Sequence, residues 1–536
     1  MRFLLFAILS LLLSVSGASA QSPKYEVRAV WLATIGGIDW PRSSYAPAQQ
    51  EELRVMLDRL KDAGINTVLF QARIRATTVY PSALEPWDGC LTGTPGRSPG
   101  YDPLQLCIDL CHERGMECHA WVVTLPVGKW NAQGCQQLRK QYPGLIKRIG
   151  EEGYMDPEQA QTGEYLARVC REIVHNYDVD GIHLDYIRYP DKWKIKVSRQ
   201  QGRENITRIV RLINQAVKGE KPWVKMSCSP VGKHDDLRRY RSNGWNARTA
   251  VCQDAQEWLR QGLMDQLYPM MYFRGNQFYP FAIDWQENAY GRTVAGGLGT
   301  YFLDPREGNW TADVVEREMN VLRQLGMGFC HFRAKFLCDN VKGVYDFTRR
   351  HCTTPALIPP MTWSSVQPPR QPLNLTLKGN ILSWAPSSSS AICYNLYASE
   401  DFPVDVSRAE NIVATKLHKS AVSLGKHASR LNYAVTAMDR YGQESYPVQL
   451  LVNAGPRYSA PEIAITDGRP VRVPQSSVLD ADFIIIETLS GKPVATRRYA
   501  PTVSVSGIPD GVYQLRSLGR KGRNHRIGFF SIKRKR

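Results

Sequence analysis

Between Glu26 and Thr354 the chain repeats one pattern eight times: a short apolar run, then an amphipathic segment of helical period. The runs at 27–33, 67–72, 117–123, 181–185, 225–229, 266–272, 293–298 and 327–332 read as buried strands. Segments such as 48–63, 103–114, 157–176, 206–217, 253–261, 312–325 and 341–350 carry the helical spacing. Gly64 and Gly115 stand where helices end, just before the second and third strands. Eight such units over about 330 residues fit a (β/α)8 TIM barrel. A doubly wound open sheet would want Gly-x-Gly-x-x-Gly after its first strand, and the chain has none there.

A barrel of parallel strands collects its chemistry at the strands' C-terminal ends, where the βα loops open. The fourth strand enters through the Asp180-Gly181 turn and alternates Ile182 and Leu184 with His183 and Asp185. It leaves through Tyr186 and Arg188. A carboxylate, a phenol and a guanidinium therefore gather at one strand end; the plainer alternative is a structural Asp185–Arg188 ion pair. The other strand ends offer Asp39-Trp40, Gln71 and Arg73, His119 and Trp121, Ser229, Tyr272 and Arg274, Tyr301 and Asp304, and His331 and Arg333. Flat rings and bidentate donors suit sugar faces and hydroxyls. Taken singly, a His or Trp on a strand is more often core, so the shared position at strand ends carries the reading. No metal-ligand spacing stands out, so neither a metal nor another cofactor is expected. The long connections 84–101 and 274–285 are too aromatic and amide-rich for disorder and read as binding loops.

The expected organisation is multidomain. Arg2, the apolar run 3–13 and Ala18-Ser19-Ala20 make residues 1–20 a signal peptide. No later stretch is long and apolar enough to span a bilayer, and no Cys follows the cleavage site to take a lipid. The mature chain is thus expected to be exported and soluble, in the periplasm, at the cell surface or secreted. The barrel should fill 21–355, a Pro-rich linker 356–373, and two small all-β sandwich domains 374–455 and 456–536. The twelve cysteines fall mostly within predicted elements, as small buried hydrophobes would; one or two disulfides fit too, whereas zinc-cluster spacing is lacking. The formal charge is +18, and residues 461–536 hold 14 Lys/Arg against 6 Asp/Glu, ending in four consecutive basic residues. Without a nucleic-acid motif, solvated charge or contact with an anionic envelope explains the tail better than nucleic-acid binding, which would show as salt-sensitive DNA affinity lost on removing 533–536.

Several segments carry a family likeness: Val27-Arg-Ala-Val-Trp-Leu, Leu69-Phe-Gln-Ala-Arg73, Glu85-Pro-Trp87, Tyr101-Asp-Pro-Leu104, His112-Glu-Arg-Gly-Met-Glu-Cys-His-Ala-Trp121, Val179-Asp-Gly-Ile-His-Leu-Asp-Tyr186 and Leu267-Tyr-Pro-Met-Met-Tyr272. In order along the barrel, they resemble the bacterial glycosyl-hydrolase-like family ten, as found in Bacteroidetes. That resemblance implies action on glycosidic bonds of a polymeric or envelope glycan, with peptidoglycan glycan strands among the candidates. It implies Asp185 as nucleophile, kept ionised by Arg188 or Arg73. Gln71, His119, His183, Tyr186 and Tyr272 would bind hydroxyls, while Trp87 and Trp121 stack. The family pattern has an acidic residue after Arg73, where this chain reads Thr77. The remaining proton donors are Asp304, Glu85, Asp39, Asp235 and Asp236, with Asp304 preferred for its place past a strand end; Asp265, at a strand start, should be structural. The alternative is a barrel that binds glycan with weakened catalysis. Trp384, Tyr394-Asn-Leu-Tyr, Tyr433-Ala-Val-Thr-Ala and Tyr441-Gly resemble a fibronectin type III module. Ile484-Ile-Ile, Gly491-Lys and Ile508-Pro-Asp-Gly-Val-Tyr513 resemble a secretion-tail domain, which implies contact with export machinery.

Overall fold

The structure, a computed structural model, describes residues 22–534 except 365, 387–389, 426–427, 454–463, 474–480, 490–491 and 520–523. The expected signal peptide, Gly491 and the last two basic residues lie outside the described residues. The chain divides into two units, Met1–Ser364 and Ser365–Arg536.

In the first unit eight parallel strands close in the order β1-β8-β7-β6-β5-β4-β3-β2. The strands are β1 (Arg28–Leu32), β2 (Thr67–Arg73), β3 (Glu117–Val123), β4 (Gly181–Asp185), β5 (Lys225–Cys228), β6 (Gln266–Leu267), β7 (Thr293–Leu298) and β8 (Gly328–Phe332). The helices between and after them are α1 (Ala46–Asp62), α2 (Pro103–Glu113), α3 (Ala160–Asn176), α4 (Arg199–Glu220), α5 (Ala255–Arg260), α6 (Tyr279–Glu287), α7 (Ala312–Gln324) and α8 (Val344–His351). Seven strands match the sequence reading to within about two residues, the usual play at element ends. The sixth is shorter than expected, because Pro269 has no N–H to donate to the ladder. The Pro269 carbonyl still accepts from Gly297 N–H at 2.8 Å, so the barrel stays closed.

The interior is filled by alternate residues of each strand, large on one against small on its neighbour. An added Cβ on Gly181 would stand 2.5 Å from His119 Nδ1, and one on Gly297 would stand 3.0 Å from Trp31. At the floor Lys225 Nζ meets Glu117 Oε1 at 2.8 Å, and Glu117 Oε2 meets His119 Nε2 at 3.0 Å. Asp265 holds the floor as expected, accepting from Lys218 Nζ at 2.6 Å, Met226 N–H at 2.8 Å and Trp363 Nε1–H at 2.9 Å. The stretch 356–363, expected to begin the linker, instead belongs to the barrel: Ala356, Leu357, Ile358 and Met361 are buried, and Leu357 bridges Tyr25.

Two further corrections concern loops. Residues 274–285 are not an open loop; a Pro-started helix, α6, buries Phe281, Ala282 and Trp285 completely, so the aromatic content was helical core spacing. Between β3 and α3 the chain inserts an unforeseen three-stranded antiparallel sheet (Pro126–Lys129, Glu152–Met155, Ile146–Ile149) and a helix, Gln133–Gln141. Strands of four residues leave too short a pattern to read. The connection 84–101 has neither helix nor strand.

The second unit is all β. A three-stranded and a four-stranded antiparallel sheet between 373 and 450 share a core that includes Leu382, Trp384, Leu396 and Val435. From 464 onward lie a five-stranded sheet and a two-stranded one. All twelve cysteines are thiols. The spacing gave no hint of a thiol cluster, yet α2 and β3 bring Cys107, Cys111 and Cys118 together with sulfurs within 4.8 Å of one another. Among the described residues no helix is long and apolar enough to cross a membrane.

Two stability predictions follow from this packing. Gly181→Ala should cost about 1–3 kcal/mol through overpacking against His119, read by chemical denaturation. Glu318 of α7 is fully buried with no partner for either oxygen among the described residues, and burial holds its carboxyl well above the ordinary 4.5. A raised folded-state value makes its contribution complete below the unfolded value and lost as pH rises through the folded one. Glu318→Gln should therefore raise the melting temperature at pH 7 and leave it nearly unchanged at pH 4.

Candidate active site

Strand β4 ends at Asp185 because Tyr186 takes a left-handed backbone conformation, φ +53°, which bulky residues adopt at a cost of about 1 kcal/mol or more. That turn folds the Tyr186 N–H back onto Asp185 Oδ1 at 2.8 Å. Ser229, just past β5, donates its hydroxyl to the same oxygen at 2.7 Å. Trp121 of β3 donates Nε1–H to Oδ2 at 3.1 Å. The Asp185 carbonyl in turn accepts from Thr124 N–H at 2.9 Å and Thr124 Oγ at 2.8 Å. Three adjacent strands thus fix one carboxylate, with Oδ2 keeping acceptor capacity beyond its single donor. Asp185 is 6% exposed. Burial raises its pKa above the ordinary 3.8, opposed by the Arg188 charge and the three donors.

Below it His183 sits mid-barrel, fully buried. Trp31 Nε1–H donates to its Nε2 at 3.1 Å, which leaves the proton on Nδ1 facing Ser227 Oγ at 3.0 Å. Burial and the neighbouring His119 push its pKa well down, so it is a neutral core imidazole and not a hydroxyl binder. His119 is likewise corrected: it lies a layer lower on Glu117, out of reach of the mouth. Trp121 orients Asp185 and is 4% exposed, so it presents no stacking face. Trp87 is half-buried, its backbone bridging Thr78 and its ring packed on the core under its own loop.

Arg73 does not serve Asp185. A register shift between Gln71 and Arg73 in the β2–β3 pairing turns its fully buried side chain onto Glu85, Nε to Oε2 at 2.8 Å and Nη2 to Oε1 at 2.6 Å. Arg73 also donates to the carbonyls of Val123 and Thr124, so it locks the 84–101 loop to the end of β3. Gln71 Oε1 is occupied by the N–H groups of Thr34 and Ile35, each at 2.9 Å.

Besides Tyr186 and Ser229, two more of the expected residues stand at Asp185. Burial above all keeps the Tyr272 phenol protonated, and the nearby Asp185 carboxylate acts in the same direction. Its buried hydroxyl has no hydrogen-bond partner among the described residues. Its ring lies 5.6 Å from Tyr301 and 5.3 Å from Phe332, making an aromatic wall that continues through Phe302 to Trp310. Arg188 is 4% exposed and is the charge that most lowers the Asp185 pKa. Its guanidinium lies 4.4 Å from the Tyr186 ring and 5.4 Å from that of Trp245. Trp245, which the sequence reading missed inside a basic loop, is 37% exposed, as is Tyr186.

The proton donor fares worse. Asp304, the preferred candidate, accepts both guanidinium arms of Arg306 at 3.0 and 2.9 Å, and this hydrogen bonding holds its carboxyl down at about 2. An acid that weak in protons cannot protonate a leaving group at neutral pH. Glu85 is tied to Arg73 and accepts from Tyr165 Oη at 2.9 Å. Asp39 is buried on Arg333 and on Ala33 N–H, Asp235 pairs with Arg248 at 3.0 Å, and hydrogen bonding from Ser242 N–H lowers the Asp236 pKa. Thr77, where an acid was expected, donates its hydroxyl to Asp88 Oδ2 at 2.6 Å. Asp88 escaped the sequence reading because it sits mid-loop, away from any strand end.

The family described as Glycosyl hydrolase-like 10 matches residues 26–295, half of the chain. The chain belongs to this family. It is 28% identical to glycosyl hydrolase YngK of Bacillus subtilis over 481 residues, 80% of this chain and 93% of that protein. It is 30% identical to glycosyl hydrolase DigH of Escherichia coli K12 over 297 residues, 48% of this chain and 67% of that one. Among solved structures, α-L-fucosidase isoenzyme 2 of Paenibacillus thiaminolyticus aligns over 61% of this chain and 49% of its own, at 14% identity and a TM-score of 0.41, too distant to carry any argument.

The three donors on Asp185 yield a pH prediction. Ser229→Ala removes one hydrogen bond to the charged form, worth about 1.5–3 kcal/mol, and each 1.36 kcal/mol is one pH unit. The acid limb of the pH–rate profile should move to higher pH by about one unit or more, with the basic limb unmoved.

Proposed function

We propose that this protein hydrolyses O-glycosidic bonds of a polymeric or cell-envelope glycan outside the cytoplasm, with Asp185 as the nucleophile. The observation that carries the reading is a carboxylate aimed by three donors at the open end of the barrel, beside a phenol with an unused hydroxyl and an aromatic wall. Oδ2 would attack the anomeric carbon as the glycosidic C–O bond breaks and the aglycone oxygen leaves, taking its proton from solvent water; water then hydrolyses the glycosyl-enzyme ester and returns Asp185 to its carboxylate. The donors and the Arg188 charge favour the anionic form of Asp185 against the burial that disfavours it. Tyr272 would give its hydroxyl hydrogen to a sugar oxygen and Tyr301 would offer a ring face. The β modules would hold the barrel at its substrate or at the surface, and the last of them would meet export machinery.

Asp185→Asn should abolish turnover, by on the order of 10³-fold or more, while glycan binding persists. Digestion of a broad glycan library, peptidoglycan strands included, with products read by mass spectrometry, checks this. An Asp185→Asn protein that still releases the same reducing ends would overturn the reading.

Thr77 and the ionised Asp304 favour a second reading, a glycan-binding barrel with weakened catalysis. A missing acid costs about 10²–10⁴-fold, and only where the leaving group needs a proton. In that case dinitrophenyl glycosides should be cleaved by the wild type and not by Asp185→Asn, while native glycans are bound and left intact. Equal efficiency on both substrate kinds would show that a proton donor is present.

A further inference from the structure

Arg188 is a buried cation at the mouth with hydrogen-bond donors left over among the described residues. Asp185 takes its hydrogen bonds from other groups, Tyr186 N–H, Ser229 Oγ–H and Trp121 Nε1–H. The arginine acts on Asp185 through space only. Its Nε and Nη1 are buried without an acceptor among the described residues, and Nη2 stands 3.8 Å from Asp191 Oδ1, beyond hydrogen-bond length. Buried guanidinium donors without acceptors are costly and uncommon, so the site is built to have them met. Half-exposed Tyr186 and Trp245 lie against the cation, and the chemistry that would meet its remaining donors is a planar anion.

The loops around it share the sign. The β4–α4 connection, 186–198, holds four Lys/Arg against one Asp; the β5–α5 connection, 229–254, holds five against three. Lys192, Lys194, Lys196, Arg238, Arg239 and Arg241 are all exposed on these two loops. Clustered like charge on adjacent loops at one opening raises the local concentration of a polyanion.

We propose that the saccharide taken at this site carries a carboxylate on the ring next to Asp185, and that Arg188 is the specificity-determining residue that binds it. This rests on the mouth being a glycan site. The carboxylate can come from a lactyl ether on an amino sugar or from a uronic acid; both present the same planar anion to a guanidinium.

The test uses full-length Asp185→Asn protein and calorimetric binding. One pair of ligands is peptidoglycan glycan strands freed of stem peptides, with and without carboxyl reduction; the other is oligogalacturonate and its carboxyl-reduced form. One carboxylate form should bind roughly 10–100-fold tighter than its reduced partner, as a charge-assisted contact implies. The pair that shows the preference names the source. Arg188→Gln on the same background should erase the preference while leaving affinity for the reduced form unchanged, and Arg188→Lys should restore part of it. Equal affinity for both members of each pair, a preference that survives Arg188→Gln, or no binding of either pair would overturn the proposal. Failure of the hydrolase reading appears separately, as absent cleavage by the wild type with the carboxylate preference intact.

Discussion

The placement of one buried carboxylate at the mouth governs the design of the barrel around it. Alone, a buried Asp would take up a proton rather than hold charge. Asp185 stays usable because β3, β4 and the end of β5 each contribute one donor to it, and because Arg188 lies close enough to act through space. Those donors stand where they do only if the strands keep register, and register depends on the interior fillers. Trp31, His183 and Ser227 form a neutral hydrogen-bonded layer directly beneath, and the Glu117–Lys225 pair closes the floor. Gly181 and Gly297 make the room that His119 and Trp31 take up.

The barrel was legible because each buried strand is a short apolar run bounded by helical periodicity, and that signal needs no tertiary information. Pro269 shows where it breaks: side-chain pattern marks a strand, while ladder hydrogen bonds decide its length. The helix at Tyr279–Glu287 was misread because aromatics and amides in a loop-like stretch look the same whether they face solvent or core. Position at a strand end identified Asp185, Tyr272 and Arg188 as mouth residues. It failed for His119 and His183, which face inward at the wrong height, and for Trp121, whose ring faces inward but serves through its N–H. The bulge at Gln71–Arg73 could not be read from sequence, and it takes Arg73 out of the site.

Arg73 and Glu85 nevertheless explain how the long 84–101 connection keeps its shape without secondary structure. A fully buried bidentate ion pair, with Tyr165 and two carbonyls meeting the remaining groups, is a satisfied network. That loop also carries Asp88, which receives the Thr77 hydroxyl where the family pattern has an acid. Membership in the Glycosyl hydrolase-like 10 family agrees with a carbohydrate as the ligand of this barrel.

The central claim is that Asp185 forms the bond to the sugar, and trapping that bond is its most direct measurement. The wild-type protein would be incubated with a 2-deoxy-2-fluoro glycoside of the sugar it releases, bearing a dinitrophenyl leaving group, then digested and mapped by mass spectrometry. The account predicts a fluoroglycosyl adduct on the peptide containing Asp185, absent from Asp185→Asn. An adduct on any other carboxylate, or steady turnover of native glycan with inverted anomeric configuration and no adduct, would contradict it.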